Sequence, residues 1–153
     1  MIENIDRIDD GETFRFALYV LEESGAEFAE AVAPFAEHSN ESFRRTAFYH
    51  LGKVPNKDRY IGVFLSGLQD EATPVVHATL QALVGVTDER LLPAYRRVAE
   101  KHQTNDGYVR INLKHRLGEF GFKSVEAFER GYRPTSSSSL KKTFSFLFGR
   151  RQQ

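Results

Sequence analysis

Cysteine is absent from this 153-residue chain. That excludes a disulfide framework, a thiol nucleophile and cysteine-ligated zinc. Long apolar runs are missing too: nothing approaches the roughly 20 residues needed to cross a bilayer. The opening residues Met1-Ile2-Glu3-Asn4-Ile5-Asp6 lack the basic-then-apolar order of a secretory leader. Together these absences lead us to expect a cytoplasmic chain with no transmembrane segment. No stretch sustains a two-residue alternation, so there is no strand candidate. Also missing are a glycine-rich phosphate loop, a nucleophile elbow and a His-Glu-x-x-His pair. The five histidines, His38, His50, His77, His102 and His115, occur singly, without ligand spacing. A non-enzymatic protein is expected, with no cofactor and no metal.

Net charge is also absent, with 21 basic and 21 acidic residues, but the balance hides a polarity. Residues 1–37 hold ten acids against Arg7 and Arg15, a net of −8. Residues 130–153 hold six bases and no acid. Such asymmetry either steers charged partners or belongs to an ordinary solvated surface.

What is present is a repeat. Segments 43–54, 75–86 and 109–120 start 32 and then 34 residues apart, within the period range of stacked helical arrays. Each opens on an apolar residue, carries small or apolar residues four and seven or eight places on, and ends near Leu-Gly. One helix pair cannot bury such a stripe alone, so the pairs must stack.

Helical spacing predicts helices over 12–23 and 26–38, then one capped by Asn40 and ending at Gly52, with Pro55 beyond. Two further pairs follow: 57–69 with 72–84, and 88–102 with 107–118. Pro74 and Pro93 fall in first turns, where a missing N–H is tolerated. A short helix over 124–130 would cover the last repeat with Val125 and Phe128. Pro134 and the serines 136–139 mark a flexible linker. Beyond it, Phe144, Phe146, Leu147 and Phe148 lie between Lys141-Lys142 and Arg150-Arg151. That tail either packs back on the helices, docks on a partner, or meets an anionic membrane surface; its candidate contact residues are Lys141, Lys142, Phe144 and Phe148.

The phase Val-Arg-x-x-Ala-x-x-x-Leu-Gly resembles the second helix of a HEAT repeat, the short bacterial type associated with phycobilisome lyases. Phe43, Arg44, Ala47, Leu51 and Gly52 carry the resemblance in the first copy, and Val109, Arg110, Leu117 and Gly118 in the third. The second copy departs at Val76, Thr79 and Val84. The resemblance implies an all-α, right-handed α-solenoid of about three HEAT-like, armadillo-like helix pairs with capping helices at both ends. One domain, 1–133, would hold repeats of about 26–54, 57–86 and 88–121, an N-terminal cap over 10–24 and a C-terminal cap over 122–133. Residues 134–139 form the linker and 140–153 the basic, aromatic tail. The resemblance further implies that the second helix of each pair lines a concave face, and that Arg44 and Arg110 bond neighbouring loop carboxylates or carbonyls.

With the first motif residue at phase zero, phases three, four, seven and eight share its face, and phases one, two, five and six point away. The outward set is Arg44, Arg45, Phe48, Tyr49, Val76, His77, Leu80, Gln81, Arg110, Ile111, Lys114 and His115. It contains no acid. Its candidate partner-binding residues are Arg45, Phe48, Tyr49, His77, Gln81, Arg110, Ile111, Lys114 and His115. His77 and His115, on neighbouring repeats, are placed to approach across the groove. A cationic, aromatic face of this kind suits a protein or peptide with acidic and apolar features. A scaffold is therefore expected, of the kind found among small bacterial adaptors, regulators and toxin-neutralising immunity proteins. The alternative is nucleic-acid-backbone binding through the same basic face.

Overall fold

A computed structural model describes residues 11–22, 28–103 and 107–132. Among these there is no strand. The helices are α1 (Gly11–Glu22), α2 (Phe28–Val32), α3 (Glu41–Leu51), α4 (Ile61–Gly67), α5 (Thr73–Ala82), α6 (Leu92–Lys101), α7 (Gly107–Glu119) and α8 (Val125–Gly131). The linker and the tail, with Lys141, Lys142, Phe144 and Phe148, lie outside the described residues. No helix among the described residues is long and apolar enough to cross a membrane.

Proline and capping residues decide where the helices begin. Asn40 accepts the Ser42 N–H at 2.9 Å, Asp88 accepts that of Arg90 at 2.9 Å, and Ser124 accepts that of Ala127 at 3.0 Å. Pro74 and Pro93 sit in the first turns of α5 and α6. The helix expected over 26–38 changes character at Ala33, continuing as a 3-10 turn (Ala33–Glu37). Pro34 has no N–H to return to the preceding turn, so the regular ladder cannot continue through it. The helices expected over 57–69 and 88–102 each open with a 3-10 turn, Lys57–Tyr60 and Glu89–Leu91, before α4 and α6 begin. Such tight turns often satisfy the amides that a helix start leaves unpaired.

The helices form two rows. In one, α1 packs on α3, α3 on α5 and α5 on α7, the α3–α5 junction being the most extensive among the described residues. In the other, α4 touches the 3-10 turns on either side of it, and α6 meets α8. The shared interior takes phase zero (Phe43, Val75, Val109), phase four (Ala47, Thr79, Leu113) and phase eight (Leu51, Leu83, Leu117), all buried. Burying each leucine contributes about 1.5–3 kcal/mol. Phase seven is inside as well, although it is polar in two copies, His50 and Arg116. Arg116 is accommodated by donating to the Leu80 carbonyl at 3.3 Å and pairing with Glu119 at 3.1 Å.

Phase five is where the helical-face expectation fails. Phe48 and Leu80 have no exposed surface, so Phe48 is not part of a partner-binding face. A Cβ added to Gly67 would stand 2.3 Å from Phe48 Cζ, so this ring fills the junction between α3 and α4. Val76, at phase one, is buried as well. Lys114 holds phase five on α7, the last helix of its row among the described residues, and is exposed. The Phe48 ring reaches the following helix α4, lying against Gly67 and 6.2 Å from the Phe64 ring, which accounts for its enclosure.

Gly52 ends α3 as expected, but not through a left-handed cap, since its φ is −64°. It is instead a point of close approach: a Cβ there would lie 2.8 Å from Ala82 Cα.

Candidate functional site: a groove across α1, α3, α5 and α7

The exposed edge of the first row carries two depressions that share Pro74 and His77. The larger, about 620 Å³, runs over α1, α3 and α5, where Arg15, Arg45, Lys53, Tyr19, Tyr49 and Gln81 contribute to its wall. The second, about 580 Å³, runs from α5 to α7 and is walled by Tyr108 and Ile111 among others. Neither lining contains an aspartate or glutamate.

Packing beneath the groove aims these side chains. The rings of Phe14 and Phe43 stack with centroids 4.4 Å apart, and Phe14 meets Phe35 at 4.5 Å. These aromatic contacts, worth about 0.5–1.5 kcal/mol each beyond burial, fix α1 on α3. Arg15 and Tyr19 follow the buried Phe14 and Leu18 by one residue each, so they emerge at the groove. On α3, Arg45 and Tyr49 lie four places apart on one helical face, and Lys53 follows four places on, in the turn just past the helix end. Lys53 Nζ stands 4.6 Å from the Tyr49 ring centroid, a cation–π contact. Among the described residues the Arg45 side chain has no hydrogen-bond or ion-pair partner, leaving its guanidinium available to a ligand. Burial depresses the His77 pKa, and its ring centroid lies 6.0 Å from that of Tyr108.

Of the nine residues expected on the binding face, Arg45, Tyr49, His77, Gln81 and Ile111 line the groove. Lys114 and His115 are exposed on α7 but line neither depression. The ring meeting His77 is that of Tyr108 rather than His115, and no group of three or more metal-ligating side chains occurs among the described residues. Arg110 pairs with Glu126 at 2.9 Å, in the first turn of α8. Arg44 pairs with Asp70, just before α5. Both phase-one arginines thus tie one helix of the first row to the start of a later helix.

Arg15, Tyr19, Lys53 and Tyr108 also line the groove, although phase counting within the motif did not select them. Lys53 lies one turn beyond Tyr49, and Tyr108 one place before the motif begins. Extending the same face by a turn in each direction would have found both.

No protein-family model, no curated protein and no solved structure matches this chain.

Proposed function

We propose that this chain is a HEAT-like, right-handed α-solenoid in a single domain, acting as a non-enzymatic scaffold that binds a protein or peptide in the groove of its first helix row. The observation carrying this reading is the lining of the larger depression: Arg15, Arg45, Lys53, Tyr19 and Tyr49 face one space without a carboxylate. Arginine and tyrosine are the residue types that concentrate binding energy at interfaces. A wall of one charge sign also favours encounter with an acidic partner. The stacked row α1–α3–α5–α7 supports the solenoid reading, because each helix contacts its neighbours in order.

Affinity capture with the intact chain and with an Arg45→Ala/Tyr49→Ala variant of matching thermal stability tests this. A protein retained by the first and lost from the second, then reproduced with both purified partners, supports the reading. Identical capture by both removes the groove as the interface.

The same three cations favour a second reading, nucleic-acid-backbone binding. It requires duplex affinity that falls steeply with salt and disappears in Arg45→Glu/Lys53→Glu. No retention on duplex at low salt eliminates it.

A further inference from the structure

The groove changes chemistry along its length. Over α1, α3 and the turn after α3 the lining holds Arg15, Arg45 and Lys53, set among tyrosines. Past the joint at Pro74 and His77, the second depression has no Lys, Arg, Asp or Glu in its lining, and its exposed apolar surface comes from Tyr108 and Ile111, 76% and 54% accessible. A ligand lying across all four helices therefore meets cations at one end and apolar surface at the other.

Building on the groove reading above, we propose that the groove accepts an extended acidic–apolar peptide segment in one polarity, its carboxylates against α1 and α3 and its apolar side chains against α7. An arginine fork matches a carboxylate in two hydrogen bonds. Arg45 can supply this without surrendering an existing partner among the described residues. Tyr108 and Ile111 lose exposed apolar surface only when something covers them. Three helix-to-helix steps of roughly 8–10 Å give a span of about 25–30 Å, which an extended segment of about eight residues covers at roughly 3.3 Å each. Single-stranded nucleic acid fits less well, since it carries a phosphate on every nucleotide and the lining of the α5–α7 depression contains no lysine or arginine to meet it.

The test uses the intact, isotope-labelled chain and a synthetic peptide with a glutamate cluster at one end and leucine and phenylalanine at the other. A nitroxide on the glutamate end should broaden amides near 15–19 and 45–53; moved to the apolar end, it should broaden those near 108–111. Arg45→Ala should weaken this peptide and an all-glutamate control alike, by about tenfold. Ile111→Ala should weaken only the two-ended peptide, by about fivefold. Broadening in the reverse sense, or evenly along the groove from either end, overturns the polarity and leaves the groove reading standing. Binding unaffected by Tyr49→Ala and His77→Ala overturns both. A single-stranded oligonucleotide binding more tightly than the peptide, self-association through this face, or no peptide binding at millimolar concentration overturns the acidic–apolar assignment.

Discussion

Arg44 grips Asp70 with two prongs, Nε to Oδ2 at 2.7 Å and Nη2 to Oδ1 at 3.0 Å. The remaining arm of the guanidinium donates to the carbonyls of His38 and Ser39, each at 3.0 Å. Asp70 in turn accepts the Ala72 N–H at 2.8 Å, and its own carbonyl accepts Lys101 Nζ at 2.9 Å. One ion pair thus joins the start of α3, the start of α5 and the end of α6.

Removing it should destabilise the fold. Arg44→Ala leaves a partly buried carboxylate and two carbonyls short of partners, and is expected to lower unfolding stability by about 2 kcal/mol. Denaturant unfolding measures this. The effect is pH-dependent. Burial raises the Asp70 pKa, but the Arg44 hydrogen bonds, the Ala72 N–H and the charges of Arg44 and Lys101 outweigh it and hold the carboxyl below its ordinary value. A depressed carboxylate stabilises above its unfolded pKa and loses that contribution as pH falls through its folded pKa. The acid limb below about pH 4 should therefore be shallower in Asp70→Asn than in the parent chain.

Two kinds of helical glycine should respond oppositely to alanine. At Gly67 a Cβ would stand 2.3 Å from Phe48 Cζ and 2.4 Å from Thr79 Oγ1. Gly67→Ala should lower stability by about 1–3 kcal/mol through overpacking. Gly62 and Gly118 face open space, so Gly62→Ala and Gly118→Ala should each raise stability by about 0.5–1 kcal/mol. Melting temperatures of the three variants decide this, and equal effects would contradict the packing described.

Adjacent aromatic residues on α3 should separate stability from binding. Phe48→Ala empties a site with no solvent access and should destabilise by about 3–5 kcal/mol. Tyr49, 58% exposed, should change stability by less than about 0.5 kcal/mol when replaced by alanine, while losing groove-dependent binding. Chemical denaturation together with the peptide titration distinguishes the two.

The Tyr95 side chain is fully buried and its hydroxyl has no hydrogen-bond partner among the described residues. Burial raises its pKa strongly, so it stays neutral through the working range. Since an unsatisfied buried hydroxyl costs about 1–3 kcal/mol, Tyr95→Phe should leave the fold unchanged and raise its stability by about 1 kcal/mol. A loss of stability on unfolding would mean that the hydroxyl is satisfied in solution.

His77 should make groove binding sensitive to pH. Burial holds its pKa below 6.5 in the free chain, among Arg45, Lys53, Tyr49 and Tyr108. A carboxylate arriving in the groove favours the protonated ring and raises that pKa. Affinity for a glutamate-rich peptide should therefore increase as pH falls from about 6.5 toward 5.5, a range in which glutamates remain ionised. His77→Gln should flatten this dependence in calorimetric titrations.

The helix positions were legible because their signals are local. Asn40 as a cap and Pro74 and Pro93 in first turns act within a few residues, and all appear where the pattern places them. Phases zero, four and eight also read correctly, since a helix turns by a constant angle per residue. Phase five did not. Phe48, Leu80 and Lys114 share one helical face, yet two are enclosed and one is exposed.

The amino-acid order on its own determined an all-helical chain among the described residues, the repeated stripe and the aim of Arg45, Tyr49, His77, Gln81 and Ile111. Only tertiary structure decided that Phe48 fills a helix junction, that the carboxylates engaged by Arg44 and Arg110 are those of Asp70 and Glu126, and that Arg15, Tyr19, Lys53 and Tyr108 join the groove. The physical reason is that periodicity reports the direction of a side chain from its own helix axis. Whether it meets water, a carboxylate or another helix depends on residues distant in sequence that packing brings alongside.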